Sequence, residues 1–135
     1  MNEVYIMSAT RSPVGAFGGS LKDFDPVDLG AIVAKESIKR SKISPEEIGH
    51  AVFGNVIHTE PRDMYVSRVI ALNSGLNKDS CALTVNRLCG SGLQAIVSAS
   101  QLILLGDTEI ALAGGVEVMS SGTHVVKGFR WGNRM

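Results

Sequence analysis

The stretch "CALTVNRLCGSGLQAIVSASQLILL", residues 81–105, decides the fold of this 135-residue chain. Residues 81–86 are short and β-branched, which is typical of a buried strand. The residues that follow, from near Gly90 to just before Gly106, are apolar on nearly every side, which is typical of a helix buried between layers. A strand that runs directly into a buried helix predicts an α/β protein.

Further strand signals lie on both sides of this stretch. The sequence predicts a first strand at residues 4–9, a second at residues 50–57 and a last one at residues 109–115. Helical patterns separate them, and such alternation predicts a largely parallel sheet covered on both faces. The length of the chain predicts one compact unit.

Two helices are predicted besides the one after Cys89. Asp25 is the expected N-cap of a helix that runs from about Pro26 to about Ser41, because proline is favoured at the first helical position. A weaker apolar period over residues 62–73 predicts a second helix that stops at Gly75, a residue suited to a left-handed C-cap.

Composition narrows the classes of function. Thirteen basic residues balance thirteen acidic ones, and no run of Lys or Arg is long enough to attract nucleic acid or an anionic membrane. No apolar run is expected to reach the roughly 18 residues that span a bilayer, and the N-terminus does not resemble a signal peptide. Two cysteines are too few for a disulfide framework and do not match a zinc site, so we expect a reducing compartment and no metal.

Cys89 lies where the predicted strand turns into the predicted helix. The first N–H groups of a helix are unpaired and its dipole is positive there, which favours the nucleophilic thiolate. The same N–H groups can stabilise the oxyanion that forms when sulfur attacks a carbonyl. Gly90, Ser91 and Gly92 keep large side chains away, so an acyl group can approach the backbone. In this setting Cys89 is a candidate for covalent catalysis.

Other interpretations of these residues remain open. A free cysteine is more often an inert core residue than a nucleophile. A Gly-rich turn between strand and helix is also found in phosphate sites, although "CGSG" matches neither G-x-G-x-x-G nor a P-loop. Cys81 lies inside a predicted strand, away from any helix N-terminus, so we expect it in the core.

Four segments together resemble the thiolase family. "NRLCGSGLQAI", residues 86–96, resembles the nucleophile segment of the acetyl-CoA acetyltransferases, and "TRSPVGAFGGSL", residues 10–21, resembles the loop after their first strand. "FGNV", residues 53–56, and "GGVEVMS", residues 114–120, resemble the family's Gly-Asn-Val turn and its Gly-Gly-x-Glu-x-Met-Ser signature. The resemblance covers the whole chain and identifies Cys89 as the nucleophile.

The resemblance implies a fold and a partition into domains. Thiolases have a mostly parallel, mixed five-stranded sheet in αβα layers, which is the N-terminal half of a five-layer αβαβα fold. Residues 1–119 would form the N-terminal α/β domain, incomplete here. Residues 120–135 would begin the loop domain, whose first loop contacts other subunits.

The resemblance also implies an activity. Cys89 would take an acyl group from an acyl-CoA, and the acyl-enzyme would condense with acetyl-CoA to acetoacetyl-CoA; the reverse reaction cleaves a 3-ketoacyl-CoA with CoA. Such a transferase of lipid metabolism needs no cofactor besides coenzyme A thioesters as substrates. It is expected to be cytoplasmic and to associate as a homodimer or homotetramer, and Thr84 is expected near the two-fold contact.

Further residues are assigned by the resemblance. A structural role near the site is expected for Asn55, Asn86, Gly90, Gly92 and Glu117. Glu117 is expected to hydrogen-bond the backbone near the nucleophile. Met135 matches a methionine that reaches the substrate pocket of a neighbouring subunit, and a disordered chain end is an equally good interpretation.

Part of the family's catalytic set has no counterpart in the sequence. The activating histidine of thiolases lies in a Gly-His-Pro motif and their second cysteine in a Cys-x-Gly-Gly-Gly motif, and neither motif is present. The chain therefore resembles about the first third of a thiolase. The alternative function is that of a non-catalytic N-terminal fragment that retains only folding and oligomer contacts.

Overall fold

The computed structural model describes residues 3–132. Its helices and strands are α1 (Pro26–Ser41), β1 (His50–Gly54), α2 (Val66–Asn73), β2 (Cys81–Val85), α3 (Ser91–Leu105) and β3 (Ala111–Gly115). Short 3-10 turns lie at Pro45–Glu47, Pro61–Tyr65, Met119–Ser121 and Phe129–Trp131.

The three strands form a parallel sheet in the described residues. β1 lies in the middle, with β2 on one side and β3 on the other, and both pairings are parallel. The carboxyl ends of the strands, at Gly54, Val85 and Gly115, therefore lie side by side. This is the edge at which ligands bind in open α/β sheets.

Helices cover both faces of the sheet, as predicted. On one face, a core forms between Val27 of α1, Ile70 of α2 and Phe53 of β1. On the other face, Ala95 and Ala99 of α3 pack on the middle of the sheet. Burying a side chain of the size of Val, Ile or Phe stabilises the fold by about 1.5–3 kcal/mol. The core on the side of α1 and α2 has more buried residues than the core under α3, so it contributes more to the stability of the fold.

Helix α1 has the predicted bounds. Asp25 is at the N-cap position and Pro26 is the first helical residue, while Lys42 ends the helix in the left-handed conformation with φ 60°. The Asp25 side chain does not cap the helix; instead, its carboxylate accepts a hydrogen bond from Arg62 Nη2 at 2.7 Å. A charged partner is a stronger donor than a backbone N–H.

Helix α2 begins later than predicted, at Val66 rather than near Arg62. The reason is Asp63, which is fully buried and whose Oδ2 accepts the N–H of Glu60 at 3.2 Å. This side-chain bond closes a 3-10 turn over Pro61–Tyr65 before the α-helix starts.

The prediction of a strand at residues 4–9 is wrong for the described residues. The segment has no backbone pairing and runs beside α1, where Ser8 Oγ donates to Ser37 O at 2.8 Å and Thr10 Oγ1 donates to Val33 O at 3.1 Å. A strand exists only where a neighbour supplies N–H and C=O partners, and none of the described residues does so. The described sheet therefore has three strands, where five were expected for the complete half of the fold.

β2 is a half-exposed edge strand rather than a buried one. Cys81 is exposed, so its assignment to the core is wrong. α3 lies over β1 and β3 and leaves this end of the sheet uncovered on its face. Thr84 faces α2, where its Oγ1 accepts the Ser67 N–H at 3.2 Å. The Thr84 side chain therefore packs against α2 and does not lie at the outer edge of the sheet.

The apolar stretch around α3 is longer than expected. Within residues 3–132, Leu88–Leu105 is 18 residues long with a mean hydropathy of 1.6, enough by length and composition for a membrane span, and 17% of it is buried. The expectation that no run reaches this length is therefore wrong. α3 connects two strands of one sheet and packs on that sheet, so we interpret it as a crossover helix. Its outer face is uncovered, whereas a helix buried all round was expected.

Candidate functional site

Cys89 lies in the turn between β2 and α3, at the carboxyl edge of the sheet. Val85 ends the strand, Ser91 begins the helix, and Gly90 occupies the N-cap position. The cysteine is exposed and carries a free thiol. The sequence therefore located correctly the point at which strand gives way to helix, and the thiol is accessible from solvent.

The turn holds the residue before the cysteine in an unusual conformation. Leu88 has φ 50°, in the left-handed region, although it is not a glycine. Such a conformation costs on the order of 1–3 kcal/mol for a residue with a branched side chain. Asn86 helps to hold it, because Asn86 Oδ1 accepts the Leu88 N–H at 3.0 Å.

The serine that begins α3 closes the same turn. Ser91 Oγ accepts the Arg87 N–H at 2.8 Å and donates to Leu88 O at 2.6 Å. The Ser91 N–H also bonds Leu88 O at 3.0 Å, and Gly90 N–H bonds Arg87 O at 3.0 Å. Cys89 itself is joined to Arg87 in an isolated parallel β-bridge.

Two glycines let the first turn of α3 sit directly on the sheet. A Cβ on Gly54, at the end of β1, would lie 2.6 Å from the carbonyl carbon of Ser91. A Cβ on Gly115, at the end of β3, would lie 3.2 Å from Gly92 Cα. Larger residues at these strand ends would push the helix N-terminus away. Gly92 itself has no atom within 4 Å of its Cβ position, so it leaves open space beside the turn.

Asn55 and Glu117 form a polar network that joins the ends of β1 and β3. Asn55 Nδ2 donates to Val116 O at 3.0 Å and to Glu117 Oε1 at 3.1 Å. The Glu117 carboxylate also accepts the N–H groups of Val56 at 3.1 Å and Ile57 at 2.8 Å. Glu117 thus bonds the loop after β1, next to the helix start, rather than the nucleophile segment itself.

The predicted residues are partly brought together. Cys89, Asn86, Gly90 and Gly92 share the turn, and the Asn55–Glu117 network stands beside it. Met135 lies outside the described residues. Within residues 3–132, no group of three or more His, Cys, Asp and Glu side chains is arranged to hold a metal ion.

Sequence reasoning named Ser91 only as a small residue beside Cys89 and missed its hydrogen bonds to the turn, and it missed the close approaches at Gly54 and Gly115. A serine at the first helical position next to glycines is a signal for a side-chain-to-backbone turn. The two strand-end glycines follow apolar runs, where a glycine often marks a close backbone approach.

Comparisons with known proteins agree with this geometry. Residues 4–135 match the family described as "Thiolase, N-terminal domain". The chain is 57% identical over 133 residues to beta-ketothiolase BktB of Cupriavidus necator, an alignment that covers 98% of this chain and 34% of that protein. It is 41% identical over 132 residues to the mitochondrial 3-ketoacyl-CoA thiolase of Bos taurus, covering 98% of this chain and 33% of that protein.

Solved structures show the same fold. The human mitochondrial 3-ketoacyl-CoA thiolase superposes with a TM-score of 0.93 at 40% identity, over 97% of this chain and 33% of that chain. The acetyl-CoA acetyltransferase of Bacillus anthracis superposes with a TM-score of 0.90 at 41% identity, over 96% of this chain and 33% of that chain. The chain thus spans about a third of the length of the curated relatives that it matches. It belongs to the thiolase family and corresponds to the N-terminal portion of the thiolase fold.

Proposed function

We propose that this chain supplies the nucleophile-bearing part of an acyltransferase that condenses two acetyl-CoA molecules to acetoacetyl-CoA or cleaves a 3-ketoacyl-CoA with CoA. The observation that carries the proposal is an exposed, free Cys89 thiol in the turn that leads directly into the N-terminus of α3. This arrangement lies in a chain that is 57% identical to a beta-ketothiolase.

In the first step, Cys89 Sγ attacks the carbonyl carbon of an acyl-CoA thioester. The tetrahedral intermediate carries negative charge on the former carbonyl oxygen, which the Cys89 N–H stabilises. The bond from this carbon to the CoA sulfur then breaks, and the CoA thiolate takes up a proton. The product is an acyl group bound to Cys89.

In the second step, a base takes a proton from the α-carbon of acetyl-CoA. The carbanion attacks the acyl carbon, a carbon–carbon bond forms, and the Cys89 sulfur leaves as a thiolate that is protonated again. Thiolysis is the same sequence in reverse. The base and the second acid are expected from residues that correspond to the family's downstream histidine and cysteine motifs.

The other parts of the proposal rest on the resemblance. Acyl-CoA, acetyl-CoA and CoA are the proposed ligands; a human thiolase with the same fold has been solved in complex with CoA. We also propose a domain boundary after residue 119. We further propose that the protein is cytoplasmic, acts in lipid metabolism and forms a homodimer or homotetramer. Met135 is proposed as a substrate contact across a subunit interface.

Acyl transfer to Cys89 tests the proposal. The natural protein, at the length at which it is expressed, is incubated with acetyl-CoA, digested with protease and mapped by mass spectrometry. We expect one acetyl group on the peptide that contains Cys89, its loss in Cys89→Ala, and its retention in Cys81→Ala. Acetylation of Cys81 instead, or no acetylation of either cysteine, contradicts the proposal.

A second function is favoured by the missing motifs, namely a non-catalytic piece that keeps folding or oligomer contacts only. The intact mass of the natural protein separates the two. A mass well above 14.3 kDa would indicate that further sequence, with room for the missing base and acid, is present. A mass of 14.3 kDa together with the absence of acetyl transfer would favour the non-catalytic function.

A further inference from the structure

Ser91, the first residue of α3, bonds the turn before Cys89 through both its side chain and its backbone N–H. Its side chain is nearly buried, with 5% exposure, against the end of β1. Its hydroxyl is fully used: it accepts the Arg87 N–H at 2.8 Å and donates to Leu88 O at 2.6 Å. The first group belongs to the residue before Leu88 and the second is the carbonyl of Leu88 itself, so the hydroxyl bridges the strained residue.

We propose that Ser91 is a positioning residue that holds Leu88 in its left-handed conformation and thereby places the thiol and the backbone N–H of Cys89. This inference rests on the proposed function of Cys89 as nucleophile. The left-handed conformation is costly for Leu88, whose side chain is 69% exposed and gains little from packing. The cost must therefore be offset by the hydrogen bonds on either side of it.

Two further contacts fix the position of Ser91 itself. Gly54 leaves only enough space for the backbone of Ser91, so the serine is held against the sheet. Ser91 is also the first residue of α3, so its hydroxyl connects the rigid helix to the turn. The Ser91 hydroxyl thus ties the two residues before Cys89 to the helix that begins after it, and the thiol between them follows.

Removing the hydroxyl is expected to let Leu88 relax. In Ser91→Ala, the Arg87 N–H loses its acceptor and Leu88 O loses one of its two donors. The turn then shifts toward an unstrained conformation and moves Cys89. A displacement of about 1 Å in an active site can lower a rate as much as about a hundredfold.

The test uses the natural protein and a matched control on the same helix. In Ser100→Ala, a serine hydroxyl that donates to Ile96 O at 2.9 Å is lost without any effect on the turn. In Ser91→Ala, we expect kcat for thiolysis to fall about ten- to a hundredfold with KM changed far less. Alkylation of Cys89 by iodoacetamide, measured against Cys81 in the same molecule, is expected to slow about two- to fivefold, as for a thiolate moved from a helix terminus.

A second-site variant separates positioning from general stability. Asn tolerates the left-handed region better than leucine, so Leu88→Asn is expected to reduce the need for the serine. The effect of Ser91→Ala on kcat and on Cys89 alkylation should therefore be several times smaller in the Leu88→Asn background than in the parent. If Ser91→Ala alone does not fold, the double variant must fold and must alkylate at Cys89 as Leu88→Asn does.

Two results would overturn the inference. One is that Ser91→Ala behaves as Ser100→Ala in both readouts. The other is that the loss is equally large in both backgrounds, because the serine would then act without Leu88. Alkylation is read without any turnover, so a protein that fails as a thiolase but shows the Leu88-dependent loss would contradict the proposed function and leave the positioning role supported.

Discussion

At the scale of single residues, the geometry of the site depends on glycines, which have no side chain, as much as on residues with side chains. Gly54 is the clearest case, because a Cβ there would lie 2.6 Å from a backbone atom of Ser91, which cannot move without moving α3. The glycine thus lets the helix N-terminus approach the carboxyl edge of the sheet. Cys89 depends on that approach, because the turn that carries it connects the same strand edge to the same helix.

Gly54→Ala is therefore expected to destabilise the protein by about 1–3 kcal/mol, the usual cost of forcing extra volume into a packed interior. Gly92→Ala is the matched control, since nothing lies within 4 Å of its Cβ position and it is inside α3. It should stabilise the protein by about 0.5–1 kcal/mol, because alanine is the better helix former. Urea unfolding of both variants checks this, and equal effects would contradict the close approach.

At the scale of elements, β2 is the exposed edge of the sheet. Cys81 N–H donates to Gly49 O at 2.9 Å and Val85 O accepts the Asn55 N–H at 3.2 Å, so the odd-numbered residues of the strand face β1. Alternation then points the N–H groups of Ala82 and Thr84 away from the sheet. An edge with free donors and a half-exposed apolar face is a template for pairing with another chain.

We predict that the natural protein associates through this edge. Ala82→Pro removes an outward N–H and should leave the sheet intact, because proline is tolerated where the N–H faces away from the ladder. The variant should keep its circular dichroism spectrum and lose its oligomeric mass in light scattering. Leu83→Pro, whose N–H faces β1, should instead unfold.

The edge assignment fails on either of two observations: a stable monomer in the unmodified protein, or an unchanged oligomeric mass in folded Ala82→Pro. Thr84→Lys is a poorer test. Thr84 packs on Ser67 of α2, so a lysine there would disturb the fold before it could report on an interface.

The sequence was sufficient for elements whose signals are local. Proline at the first position set the start of α1, and Gly106 set the end of α3. Prediction from the sequence failed where contacts with distant parts of the chain determine the local structure. Residues 4–9 read as a strand but pair with nothing in the described structure, and Cys81 read as core because an apolar strand does not reveal whether a helix covers it. The left-handed Leu88 had no signal at all, since its conformation is imposed by neighbours such as Ser91.

At the scale of the whole molecule, the described chain is one sheet with unequal coverage. α1 and α2 bury one face, whereas α3 covers mainly β1 and β3 and presents large apolar side chains outward. These exposed residues of α3 are Leu93, Ile96, Val97, Leu104 and Leu105. The chain spans about a third of the length of the curated relatives that it matches.

The 135-residue chain by itself is therefore expected to show no steady thiolysis of acetoacetyl-CoA. It has the proposed nucleophile, Cys89, but no Gly-His-Pro motif and no Cys-x-Gly-Gly-Gly motif, so a proposed acyl-enzyme would lack the groups that activate its partner. Loss of members of a cooperating catalytic set typically lowers kcat by about three to six orders of magnitude. The consumption of acetoacetyl-CoA by the purified chain, with Cys89→Ala as background, measures this. Turnover above that background would show that a residue of this chain, with His50, His58 and His124 as the first candidates, acts as the base.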